Sequence, residues 1–213
     1  SETHGTSGSQ QAYTPPGGTR AFWSAGTAAR GGVGVLIREA FLELFNLAPP
    51  LWEVLDEGRL ARLRLVGPSG ALDIFTCYFP TGIARAMGSA AGAAASGDHL
   101  TLRPQRERLA RLIAGMLDDT ASLAVVGGDF NFVTRPQDRW QKASGSYMGN
   151  HDHAEAAHWH QVMDPAGLYE LHQEEYTHNG PVSPARLDPS LLHILPSRRI
   201  QSRSTCCAPT HQT

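Results

Sequence analysis

The sequence predicts a single α/β domain. Three observations carry that expectation: a strand–helix–strand alternation in mid-chain, a glycine-flanked hairpin just before it, and a composition close to the globular average. In the alternation, a strand-like run at 72–78 leads to a helical stripe in which Leu109, Leu112, Ile113, Met116 and Leu117 recur at i, i+3, i+4, i+7 and i+8. The apolar run Leu123-Ala124-Val125-Val126 follows at once as a buried strand. Of 213 residues, 41% are hydrophobic and 18% charged, which excludes wholesale disorder and a fibre. That length suits one domain.

The elements follow in order. Residues 5–18 are mainly Gly, Ser, Thr and Pro and read as an exposed loop. Gly31-Gly32-Val33-Gly34-Val35-Leu36-Ile37 reads as a buried strand opened by glycines. Residues 60–66 alternate apolar and polar side chains, as a half-buried strand does, and Gly67-Pro68-Ser69-Gly70 turns the chain into the strand at 72–78. The Ala/Gly/Ser-rich stretch 84–97 is expected to be a flexible loop. The helix is placed at 105–117 with Pro104 in its first turn. A second helix is expected at 152–163, ended by Pro165-Ala166-Gly167.

Charge narrows the function. Lys+Arg 18 against Asp+Glu 20 leaves a net charge of -2, so no global basic field attracts nucleic acid. A phosphate-bearing substrate would be held by local arginines or by a metal ion. Cys77, Cys206 and Cys207 have the spacing of neither a disulfide framework nor a zinc site, and a reducing, intracellular setting is expected. No apolar run has the length of a membrane span, so no membrane partner is expected. The chain begins at Ser1 rather than Met, and further sequence is expected upstream.

The chemistry concentrates where the Val125 strand ends in Gly127-Gly128-Asp129-Phe130-Asn131. Glycines allow a sharp bend and close approach. Asp129 and Asn131, two residues apart, point into one crevice, a pair suited to a phosphodiester. The ionised carboxylate orients or deprotonates water, and the carboxamide donates to a phosphoryl oxygen without adding negative charge. The alternative is an Asx turn that only closes a loop. Just beyond, Arg135, Arg139 and Lys142 are candidates to grip a phosphate backbone, and Trp140 either stacks on a base or covers the core. Arg103, Arg106, Arg108 and Arg111 read as a solvated helix face, as do His151, His153, His158 and His160 in preference to a transition-metal site.

Gly128-Asp129-Phe130-Asn131 resembles the signature of the endonuclease/exonuclease/phosphatase superfamily, which includes AP endonucleases, LINE-type retrotransposon endonucleases, DNase I-like nucleases and inositol polyphosphate phosphatases. Further segments match in the family's order. Ser1-Glu2-Thr3-His4 is similar to its Gln-Glu-Thr-His segment. Gly58-Arg59-Leu60 with Ile74-Phe75-Thr76-Cys77-Tyr78-Phe79-Pro80 resembles its Gly-Arg and Tyr-x-Pro strand pair. Tyr176-Thr177 with Ala185-Arg186-Leu187-Asp188 resembles its late Ser-Arg-Leu-Asp strand. Together they cover nearly the whole chain.

The resemblance implies a four-layer α/β sandwich of two mostly antiparallel packed sheets flanked by helices, spanning 1–213 as one domain. It makes Glu2 a ligand of Mg2+, with Mn2+ as a substitute, and puts the Tyr78 hydroxyl near the scissile phosphate. Asp129 and Asn131 then act on water and phosphate, Asp188 orients a catalytic histidine, and Arg59 binds substrate, joined by Arg135, Arg139 and Trp140 on the strength of their place beside the crevice. The implied activity is magnesium-dependent phosphodiester hydrolysis on nucleic acid, DNA favoured, with the retroelement and AP endonucleases closest in look; a DNA endonuclease would work in the nucleus. Each residue has a plainer alternative. Glu2 could be a solvated terminal residue, Tyr78 a core aromatic, Arg59 a partner for some carboxylate, and Asp188 a turn starter before Pro189.

The sequence also departs from the family. It lacks the first strand with its Asn, and no Asp precedes His211 in the tail 201–213, expected to be disordered or diverged. Asp188 is then left without a histidine to orient. The expectation is a truncated or decayed domain, impaired in activity; a catalytically inactive remnant and a small-molecule, inositol phosphate-type phosphatase are the alternatives.

Overall fold

The computed structural model describes residues 7–26, 31–80, 96–117, 122–147, 153–171, 178–179, 184–185 and 191–193. Its centre is a six-stranded sheet of order β3-β4-β5-β6-β12-β9. The strands are β3 (Leu51–Asp56), β4 (Leu60–Gly67), β5 (Gly70–Tyr78), β6 (Ser122–Asp129), β9 (Leu168–Glu170) and β12 (Leu191–His193). The β4–β5 hairpin turns at Gly67↔Gly70, where the turn sequence placed it. β5 and β6 pair in parallel, joined through the long helix α3 (Ser96–Met116), while the other ladders are antiparallel.

Helices cover one face of this sheet. Leu109, Ile113 and Leu117 of the predicted stripe are buried with Phe75, Cys77, Ala124 and Val126, and Leu112 and Met116 pack at the edge. Helix α4 (His153–Met163) adds Trp159 and Met163 to the same core. On the other face lies a ribbon of β1 (Thr19–Ser24) and β2 (Val33–Arg38), continued by the single turn α2 (Glu39–Leu42). There Ile37 and Leu42 close on Leu63 and Leu65, with Phe22, Val35 and Ile74 around them. The expected α/β class with two packed sheets is thus present, the second sheet being, among the described residues, this two-stranded ribbon. Four small pieces complete the described residues: α1 (Ser7–Ala12), a 3-10 turn (Pro136–Asp138), the β7–β8 pair (Trp140–Gln141, Ser146–Tyr147) and the β10–β11 pair (His178–Asn179, Pro184–Ala185).

Two local expectations are corrected. Part of the segment expected as loop, Ser7–Ala12, is helical, though it buries nothing. The long helix begins at Ser96 rather than 105, so Pro104 lies inside it; proline there gives up one backbone hydrogen bond, and the buried stripe downstream holds the helix. Most of the stretch 84–97 and all of the tail 201–213 lie outside the described residues.

Candidate active site at the ends of β5 and β6

The parallel register sets Tyr78 directly beside Asp129, at the carboxyl ends of neighbouring strands. Side chains alternate along a strand, so the partners Phe75 and Val126 bury on the helix side, whereas Tyr78 and Asp129 share the opposite face. One residue on, Phe79 and Phe130 again point to the helices, where they pack with Phe132 and Trp159 at centroid distances of 5.1–6.0 Å. Such a cluster fixes both strand ends from below. In open α/β sheets, the crevice beyond the carboxyl ends of parallel strands is where ligands collect.

Gly128 makes this pairing possible. Its φ is +142°, and a Cβ would stand 1.9 Å from the Cys77 carbonyl oxygen. The glycine therefore admits the neighbouring strand's backbone. Beyond it the chain turns sharply: Asn131 donates its backbone N–H to Asp129 Oδ1 over 2.8 Å and sits at φ 56°. Among the described residues it is the non-glycine in the left-handed region, which asparagine tolerates better than most. The Asx turn weighed as an alternative is real. It also aims the Asp129 carboxylate. One Asn131 Nδ2 hydrogen is donated to the Phe79 carbonyl (2.8 Å), so part of that carboxamide ties the two strand exits together rather than facing substrate.

Arg59 enters from the turn between β3 and β4. Gly58 takes φ +64°, with a Cβ excluded by the Ala25 oxygen at 2.9 Å, and Arg59 follows it. The Arg59 carbonyl accepts the Tyr78 N–H (2.8 Å), and its guanidinium lies over the Tyr78 ring, Cζ 4.7 Å from the centroid. Arg59 Nη1 is buried and has no hydrogen-bond partner. A desolvated donor beside Tyr78 is a natural anion contact.

A buried ion pair lies beneath the site, and the sequence reading missed it. Arg106 of α3 and Glu155 of α4, expected or passed over as solvated, are 4% and 6% exposed. Arg106 Nη1 donates to both Glu155 oxygens (2.6 and 2.7 Å), its Nε to the Pro80 carbonyl (2.7 Å), and its Nη2 to the Asn131 carbonyl (3.2 Å). The correction has a signal in the sequence. Arg106 lies three residues before Leu109, and Glu155 four before Trp159, so each continues an apolar stripe.

The remaining candidates are less convergent. Arg135 is exposed and makes a 3.9 Å ion pair with Glu170 on β9, two strands from β6. Arg139 bridges the backbone of Ala185, its Nε is buried without a partner, and burial pulls its guanidinium below the ordinary arginine range. Trp140 meets Tyr147 edge-on at 5.0 Å, a contact within its own hairpin. His158 is half-buried, with Nε2 unpartnered beside Arg106 and Trp159, so not all of the histidine cluster is solvated. His160 is exposed and faces Asp164 at 3.3 Å. Glu2 and Asp188 lie outside the described residues.

Among the described residues, no group of three or more His, Cys, Asp or Glu is placed to hold a metal ion. Magnesium, however, keeps several waters and is commonly held by one or two carboxylates. The oxygen donors at the β6 turn, the Asp129 carboxylate above all, fit that mode and suit no softer metal.

No family model matches the sequence, and no curated protein matches it. Solved structures do. An AP endonuclease from Archaeoglobus fulgidus superposes with TM-score 0.57 at 18% identity, covering 83% of this chain and 67% of that one. The AP endonuclease LMAP from Leishmania major gives 0.54 at 12%, covering 83% and 62%. The 3′ phosphatase NExo from Neisseria, bound to a product DNA hairpin, gives 0.53 at 15%, covering 82% and 66%. The chain therefore spans about two thirds of the length of the structures it resembles. What these likenesses define is an α/β sandwich of the DNase I-like class. That is the fold of the endonuclease/exonuclease/phosphatase superfamily, the one its motifs resemble.

Proposed function

We propose that the chain is a magnesium-dependent phosphodiesterase domain that acts on nucleic acid, DNA in preference. The observation that carries this is the pairing of Tyr78 with Asp129 at neighbouring strand ends, with the Arg59 guanidinium over the Tyr78 ring and Asp129 aimed by the turn at Asn131. Asp129 orients and deprotonates the attacking water. Arg59, with a buried nitrogen lacking a partner, takes a phosphoryl oxygen of the substrate. The Tyr78 hydroxyl and the remaining Asn131 amide hydrogen stabilise charge that builds on the phosphoryl group. Asp129, with Glu2 as the sequence motif suggests, would hold magnesium, which when bound supplies Lewis-acid polarisation of the phosphoryl oxygen and of the leaving group. Arg135, Arg139 and Trp140 serve the flanking nucleic-acid backbone and bases, and Asp188 has a supporting role by the sequence motif alone. That the similar structures include AP endonucleases and a DNA-bound 3′ phosphatase supports this choice of substrate.

The test is nicking of supercoiled plasmid with and without magnesium, beside Asp129→Ala. Loss of the base is expected to lower the rate about 10²- to 10⁴-fold. Equal nicking by Asp129→Ala and the unaltered chain would place any activity elsewhere.

A further inference from the structure

We infer that Arg106 is a positioning residue for the proposed site: held by Glu155, it clamps the exits of β5 and β6 and thereby sets the spacing of Tyr78 and Asp129. The inference rests on the phosphodiesterase reading for its catalytic consequence, but not for its geometry. Pro80, whose carbonyl accepts from Arg106 Nε, lies two residues after Tyr78; Asn131, whose carbonyl accepts from Nη2, lies two residues after Asp129. One planar guanidinium therefore spans both turns, and both bonds are directed. Its Nη1 edge is saturated by the Glu155 carboxylate, and its flat face lies over Phe132, Cζ 5.5 Å from the ring centroid. The Phe79 N–H to Asp129 carbonyl bond (2.8 Å) and the Asn131 carboxamide to Phe79 carbonyl bond (2.8 Å) close the same bridge from above. Tyr78 and Asp129 are thus joined by a network whose farthest members sit on two helices. Neither Arg106 nor Glu155 points to the face that carries the reacting groups, so their effect passes through the backbone.

Arg106→Lys tests this, because lysine keeps the charge opposite Glu155 but cannot reach two carbonyls at once. Displacement of a reacting group by about 1 Å can cost 10²-fold, so kcat for nicking is expected to fall 10- to 10²-fold with KM within about threefold. Amide hydrogen exchange supplies a readout that needs no activity. The amides of Phe79 and Asn131 should exchange at least about tenfold faster, while that of Leu63 in β4 is unchanged. Where Arg106→Lys does not fold, Glu155→Gln, equal in size, is read in the same way. Unchanged exchange at Phe79 and Asn131 overturns the clamp. So does an equal rise at all three amides, which marks support of the whole fold. A local rise in exchange with no nicking by the unaltered chain upholds the clamp and defeats the phosphodiesterase reading.

Discussion

Gly127 and Gly128 are adjacent in sequence, and the structure predicts opposite consequences for the same substitution. At Gly127 a Cβ meets nothing within 4 Å, and the backbone is not in the left-handed half of φ. At Gly128 a Cβ would lie 1.9 Å from the Cys77 oxygen and 2.8 Å from Cys77 C and N, all backbone atoms that no rotamer can move aside. Strands β5 and β6 would have to part by about 1 Å at the position where Tyr78 and Asp129 are paired. A residue forced to stay at φ +142° adds on the order of 1–3 kcal/mol of backbone strain. Overpacking against a rigid neighbour adds about as much again. The total for Gly128→Ala is therefore about 3 kcal/mol or more, whereas Gly127→Ala should stay within about 1 kcal/mol. For a chain of this length, about 3 kcal/mol lowers Tm by roughly 6–12 °C. Thermal unfolding followed by circular dichroism at equal pH and salt measures both variants. If Gly128→Ala melts within about 2 °C of the unaltered chain, or if the two alanines lower Tm equally, then the close approach of β6 to β5 is not real and the pairing of Tyr78 with Asp129 goes with it.

Other consequences are as direct. Arg59→Gln should weaken nucleic-acid binding and reduce the slope of log K against log salt by about 0.9 on duplex, the share of one phosphate contact; an unchanged slope in a fluorescence titration would remove Arg59 from the interface. Glu155→Ala leaves Arg106 buried and unpaired and should cost about 3–5 kcal/mol, read as a shifted urea midpoint. Arg139 carries a desolvated, partly unpartnered guanidinium, so Arg139→Met should raise Tm slightly while weakening substrate binding; a fall in Tm would show that the arginine is supported after all. The sign of its pH dependence follows from the depressed value. The folded state binds its proton less readily than the unfolded state, so the penalty is complete below the folded pKa and is relieved only as pH rises through it.

Legibility of the chain followed the strength of local pattern. The Gly67–Gly70 turn, the Leu109–Leu117 stripe and the run at Val125 could be read because each obeys one period strongly enough to stand alone. Strand β3 had no such signal: its Leu51 and Val54 are exposed on an edge, so the inside–outside alternation that marks a strand is blurred. The start of α3 was hidden by low-complexity sequence and by Pro104, which argues against a helix locally and is overruled by burial downstream. At the site, the motif Gly-Asp-Phe-Asn marks the turn that ends β6 and offers Asn131 to a phosphoryl oxygen, while one of its amide hydrogens is committed to Phe79. Arg106 and Glu155 were illegible for a different reason. Each is a charged residue at an apolar position of its own helix, and each alone reads as a solvated side chain. Only the pairing of α3 with α4 turns two local exceptions into one neutral buried group, and that pairing is a tertiary fact. A charge that falls in register with a buried stripe therefore calls for a search for its opposite on the facing helix, and here that search leads to the backbone of both turns that bear Tyr78 and Asp129.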